Sequence, residues 1–73
     1  MKHKKLIAKS FKEKLSEIES NKNVNEFVWD SLTKITLITE VNKKYKKNLD
    51  YKKFDKIKFF SQLDKLIEDT IKS

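Results

Sequence analysis

The residues of this sequence that could do chemistry are few, and the most suggestive two are adjacent: Asp30 and Ser31. They stand at the head of a run in which Leu32, Ile35, Ile38 and Val41 recur at helical spacing. A serine on the first turn of a helix projects its hydroxyl from the helix end rather than into a packed face. Unpaired N–H groups and the positive end of the macrodipole favour negative charge there. An aspartate at the boundary suits the same donors. Alone, such a pair is more often an ordinary helix cap than a reactive site.

Other chemistries find little to work with. The chain has no cysteine, so it has no disulfide, no thiolate zinc site and no thiol nucleophile. His3 is the only histidine and stands in a lysine-rich opening. We expect a frayed terminus there, with no catalytic or metal-binding part for His3. The carboxylates are spread over helix surfaces, which gives no paired-carboxylate site. The expectation is a protein that is not an enzyme and holds no metal.

The elements that must position Ser31 are helical. Glycine and proline are both absent, whereas tight β-turns rely on residues that accept positive φ. The chain therefore reads as all-α, joined by Asn-, Asp- and Ser-rich connections. In residues 3–20, Ile7, Phe11, Leu15 and Ile18 fall along one side of an amphipathic helix. Ser20-Asn21-Lys22-Asn23 ends it, because these side chains compete for backbone hydrogen bonds. Val24 to Trp29 forms a short apolar loop, with Trp29 as a hydrophobic staple or core anchor. The second helix opens at Asp30-Ser31 and carries the stripe Leu32, Ile35, Ile38, Val41 and Tyr45, widened by Leu37. Around residues 51–56 there is room for only a turn or two, with Tyr51 and Phe54 at i,i+3. A last helix over about residues 59–72 carries Leu63, Leu66, Ile67 and Ile71. The expectation is one domain over residues 1–73, an up-and-down bundle of three longer helices and one very short helix.

The net charge is +7, and all 18 basic residues are lysine. Bidentate phosphate and base recognition favours arginine. Abundant Lys, Asn and Ile without Arg, Gly or Pro also fits the codon usage of an AT-rich genome. Residues 43–58 nevertheless hold eight lysines against Asp50 and Asp55. Either they form a solvated basic face, or they dock an acidic partner. The longest apolar run is three residues, too short for a membrane span or a secretory h-region. A cytoplasmic protein is expected.

The run Trp29-Asp30-Ser31-Leu32-Thr33-Lys34-Ile35-Thr36-Leu37-Ile38 resembles the attachment motif of acyl carrier proteins. Counting on without a gap, Ile35, Leu37, Ile38 and Val41 fall on the family's apolar positions and Tyr45 on its aromatic one. Leu49 falls on its loop anchor, Asp55-Lys56-Ile57 on its short third helix, and Phe60, Leu63, Leu66 and Ile67 on its last helix. The resemblance covers about residues 29–68. It implies a bundle whose Ser31 carries covalent 4′-phosphopantetheine taken from coenzyme A, with Asp30 presenting the serine. It further implies a monomer that carries acyl or aminoacyl thioesters. Its partners would be a phosphopantetheinyl transferase and the enzymes that load and use the cargo. Lys34, one turn on, would add positive charge beside the phosphodiester.

Three departures qualify the likeness. Trp29 stands where a small residue usually precedes the aspartate, as in some specialised stand-alone carriers. The connection between the first two helices is short. Lys34, Thr36, Lys43 and Lys44 occupy a helix that is acidic in fatty-acid carriers, which points to a specialised pathway and to acidic docking surfaces on partners. The alternative is a small basic helical protein that binds nucleic acid or an anionic partner through the lysines of residues 43–58. That binding would weaken steeply with salt.

Overall fold

Three α-helices carry the chain in the computed structural model, which describes residues 1–73: α1 (Lys4–Phe11), α2 (Ser31–Tyr45) and α3 (Phe60–Lys72). Three 3₁₀ turns, Leu15–Glu17, Val24–Glu26 and Tyr51–Lys56, join them, and no strand forms. The expected all-α bundle of three longer helices with a very short one is what the chain adopts. No helix is long and apolar enough to cross a membrane.

Each helix buries one stripe. Leu6, Ile7 and Phe11 of α1, Leu37 and Val41 of α2, and Phe60, Leu63 and Ile67 of α3 form the core. Ile18, Val24, Leu49 and Phe54 join it from the connections. Phe11 of α1 meets Phe60, the first residue of α3, edge-on at 5.2 Å. His3, just before α1, meets Tyr45 at the end of α2 at 5.8 Å. Its ring also bonds Glu68 near the end of α3. Helix α1 therefore runs antiparallel to both α2 and α3, which are parallel to each other. This corrects the plain up-and-down order: the segment 46–59 crosses back along the bundle.

The first helix is shorter than its apolar spacing suggests. It closes after Phe11 because Lys12 turns left-handed, at φ 57° and ψ 41°. The Glu13 N–H then donates to the Ala8 carbonyl at 3.0 Å and the Lys12 N–H to Lys9 at 3.2 Å. That is the Schellman closure usually built on glycine. Lys46 is also left-handed after α2, at φ 59°, and closes it by the simpler cap, its N–H donating to the Asn42 carbonyl at 2.9 Å. A left-handed residue with a Cβ costs about 1 kcal/mol or more, a cost that a glycine-free chain must place somewhere.

A tertiary demand explains the early stop. The Ser20 carbonyl accepts from the Ser61 N–H at 3.0 Å, and the Lys22 carbonyl from the Phe60 N–H at 3.1 Å. Asn23 bridges Phe59. Ser20 and Lys22 thus satisfy donors at the start of α3 that have no partner inside the helix. A straight helix over residues 3–20 would run about 27 Å, nearly the whole 28 Å long dimension of the molecule. It would carry Ser20 away from Ser61. The chain folds back instead: Ile18 is buried, whereas Leu15 lies 42% exposed.

The amino terminus is not frayed, which corrects the expectation for His3. The His3 N–H donates to Asp64 Oδ1 at 2.7 Å, and the Lys2 N–H to Asp64 Oδ2 at 3.2 Å. The His3 ring is buried, with Nε2 at 2.8 Å from Glu68 Oε1. An ionised carboxylate only accepts, so Nε2 carries the proton. The ammonium groups of Lys2 and Lys72 each lie 3.1 Å from the other Glu68 oxygen. The bond from His3, then those from Lys2 and Lys72, hold the Glu68 carboxyl at about 2, against an ordinary 4.5. A depressed folded value contributes stability that is present above the unfolded value and lost as pH falls through the folded one. Urea midpoints should therefore drop between about pH 5 and about pH 2, and Glu68→Gln should flatten that drop. Equal slopes for the two proteins would show that Glu68 does not drive it.

Candidate functional site at the start of helix α2

Local sequence sets where α2 begins. Asp30 is extended, at φ −110° and ψ −179°, and its Oδ1 accepts from the Thr33 N–H at 2.9 Å. Hydrogen bonds from the Thr33 backbone and then from its side chain hold the Asp30 carboxyl below its ordinary value. Ser31 is then the first helical residue, and it is solvent-exposed. Asp30 and Ser31 are placed as the sequence suggested, one as the cap and the other at the helix start.

The serine does not stand alone. Tyr51, the first residue of the 3₁₀ turn, donates through Oη to Ser31 Oγ at 3.2 Å. Trp29 stacks on Phe11 with ring centroids 5.5 Å apart and planes 3° from parallel. It meets Phe54 edge-on at 5.4 Å, and Phe54 meets Tyr51 at 5.8 Å. Trp29 is therefore a packing residue, half-buried between α1 and the 3₁₀ turn. Lys34 Nζ lies 5.1 Å above the Trp29 ring and 5.9 Å from that of Tyr51. Ser31 thus sits at the edge of an aromatic platform with a lysine across it. Nothing in the sequence links Tyr51 to Ser31, twenty positions earlier, and only the returning connection joins them.

The stripe expected for α2 is buried from Leu37 onward, but its first residues, Leu32 and Ile35, face solvent. Thr33, Leu37 and Val41 face the core, with Ile38 and Tyr45 packed at its edge. Leu32 is 68% exposed and Ile35 53%. Both sets step at helical intervals, so spacing alone cannot choose between them. The choice follows from the cap: Asp30 fixes the first turn, and α1 packs on the side that Thr33 and Leu37 occupy. A groove of about 410 Å³ lies between the end of α1 and this first turn, lined in part by Phe11, Val28, Asp30, Leu32 and Thr36.

The lysines of residues 43–58 lie in two runs, at the end of α2 and on the 3₁₀ turn. Lys43, Lys44, Lys46 and Lys47 gather at the far end of α2, where Lys47 Nζ reaches the Ser73 carbonyl at 2.7 Å. Lys52, Lys53 and Lys56 are exposed on the 3₁₀ turn that Tyr51 opens, and Lys53 shares a groove with Asn48, Asp69 and Ser73. Lys53 therefore lies on the side of Ser73 and Lys47 rather than of Ser31. No three or more His, Asp or Glu side chains gather as metal ligands.

No protein-family model matches the chain, and no curated protein or solved structure matches it significantly.

Truncation tests the orientation of α2. Leu37→Ala should cost about 2–5 kcal/mol, whereas Leu32→Ser should stay within about 0.5 kcal/mol of the parent. Denaturant unfolding of the two variants checks this, and equal losses would restore Leu32 to the core.

Proposed function

We propose that this protein is a carrier of acyl or aminoacyl groups, held as thioesters on 4′-phosphopantetheine attached to Ser31. The observation that carries the reading is the exposed Ser31 hydroxyl at the first residue of α2, flanked by Tyr51 and Lys34. Support also comes from the apolar positions of the carrier pattern. Leu37, Val41, Leu49, Phe60, Leu63 and Ile67 are all buried in one core. Ile35 is the departure from that pattern.

The residues present suit the group. Ser31 Oγ would give its proton to a base of the transferase and bond the pantetheine-bearing phosphorus of coenzyme A. The bond from that phosphorus to the bridging oxygen breaks, and adenosine 3′,5′-bisphosphate leaves. The phosphodiester so formed would lie by the N–H groups that open α2, where negative charge is favoured, and Lys34 adds a positive charge one turn on. Asp30 keeps the helix start in register through its bond to Thr33. The attached arm supplies the reactive thiol that this cysteine-free chain lacks. The chain itself does no catalysis in this reading, and the reaction chemistry belongs to the arm and the partner enzymes. It works as a cytoplasmic monomer.

Intact mass after incubation with coenzyme A and a broad-specificity phosphopantetheinyl transferase tests the reading. One arm should add to the wild type and none to Ser31→Ala. The variant should remain folded, since it loses one exposed hydrogen bond, about 1 kcal/mol or less. An unmodified wild type would overturn the reading, and a modified alanine variant would move the site.

The lysines beside Ser31 bear on the partners. Enzymes that reach this serine meet Lys34 and, next to Tyr51, the exposed Lys52, so the partners of this carrier present acidic or apolar docking surfaces. Fatty-acid enzymes built for acidic carriers should use the holo-protein poorly, because like charge slows encounter. Changing Lys52 to Glu should improve that use more than changing Lys43 to Glu. Use as efficient as that of an acidic carrier, or no gain on reversal, would leave the lysines as a solvated face.

A further inference from the structure

The ring of Tyr51 is held from two directions. Phe54 packs edge-on to it at 5.8 Å, with planes 75° apart. Lys34 Nζ lies 5.9 Å from its centroid and 5.1 Å from that of Trp29, so one ammonium spans the rings of both segments. A phenol so placed has two side-chain torsions, both restrained, and its Oη stays at 3.2 Å from Ser31 Oγ. The phenolic proton is the more acidic of the two, so Tyr51 donates and one lone pair of Ser31 accepts. The serine proton and its other lone pair are left to face solvent.

We propose that Tyr51 is a positioning residue for Ser31, fixing the Oγ rotamer and stabilising the negative charge that gathers on Oγ as its proton leaves. This rests on the carrier reading of Ser31. A bond of 3.2 Å between neutral hydroxyls is long and weak. Hydrogen bonds to a charged partner are about twice as strong, and they are shorter. The interaction therefore acts mainly in the transition state of arm attachment. An interaction of that kind lowers kcat and kcat/KM together when it is removed, and leaves KM unchanged.

Tyr51→Phe isolates the effect, because it keeps the ring on Phe54 and under Lys34 and removes only the hydroxyl. With coenzyme A and the same transferase, kcat should fall about five- to tenfold, with KM for the carrier and the thermal midpoint unchanged. A second readout needs no arm: the ¹³Cζ resonance of Tyr51, assigned by its loss in Tyr51→Phe, should shift in Ser31→Ala. Arm attachment at equal rates to wild type and Tyr51→Phe would overturn the positioning role alone, as would a resonance indifferent to Ser31→Ala. A wild type that accepts no arm overturns the carrier reading, and the positioning role with it.

Discussion

Five aromatic rings meet at the Ser31 end of the molecule, contributed by four segments of the chain. Phe11 closes α1, Phe27 and Trp29 lead into α2, Phe54 lies on the 3₁₀ turn, and Phe60 opens α3. Their centroids are linked at 5.2–6.3 Å. In a chain of 73 residues with no disulfide, burial of this kind has to supply much of the cohesion. Offset and edge-on pairs add directionality to the buried area. Trp29 is two residues before Ser31 and Phe54 three after Tyr51. The packing that joins the helices therefore also fixes the serine against its hydrogen-bond donor.

The opposite end is held by different physics. There Asp64 and Glu68 of α3 gather the backbone of Lys2 and His3, the His3 ring and two lysines. Polar contacts of that kind depend on pH and salt in a way that the aromatic end does not. One end of the bundle is thus set by ring packing and the other by ionised groups, while the apolar stripes of the three helices run between them.

Main-chain closure is the second constraint on the fold. Without glycine, two lysines take the left-handed caps, and without a side-chain cap at Phe59 the start of α3 borrows carbonyls from residues 20 and 22. Gln62 Oε1 takes the N–H groups of Lys58 and Phe59 at 2.7 and 2.9 Å. These borrowed bonds decide that the chain after Phe11 returns to α3 rather than continuing as helix.

The sequence by itself determined that the chain is helical, where α2 and α3 lie, and that Asp30 and Ser31 open α2. Those are local matters: apolar periodicity, the lack of turn residues, and an aspartate able to cap its own third N–H. The spacing of Ile7, Phe11, Leu15 and Ile18 is the same for one long helix as for a short one followed by a turn, so the end of α1 could not be read from it. Leu32 and Leu37 both belong to helical stripes, and only packing against α1 selects Leu37. His3 gave no sign of burial, because Asp64 and Glu68 reach it from more than sixty positions away. The pairing of Tyr51 with Ser31 and the seating of Lys53 beside Ser73 were likewise tertiary decisions. Each depends on how segment 46–59 crosses the bundle, and no local pattern encodes the path of that return.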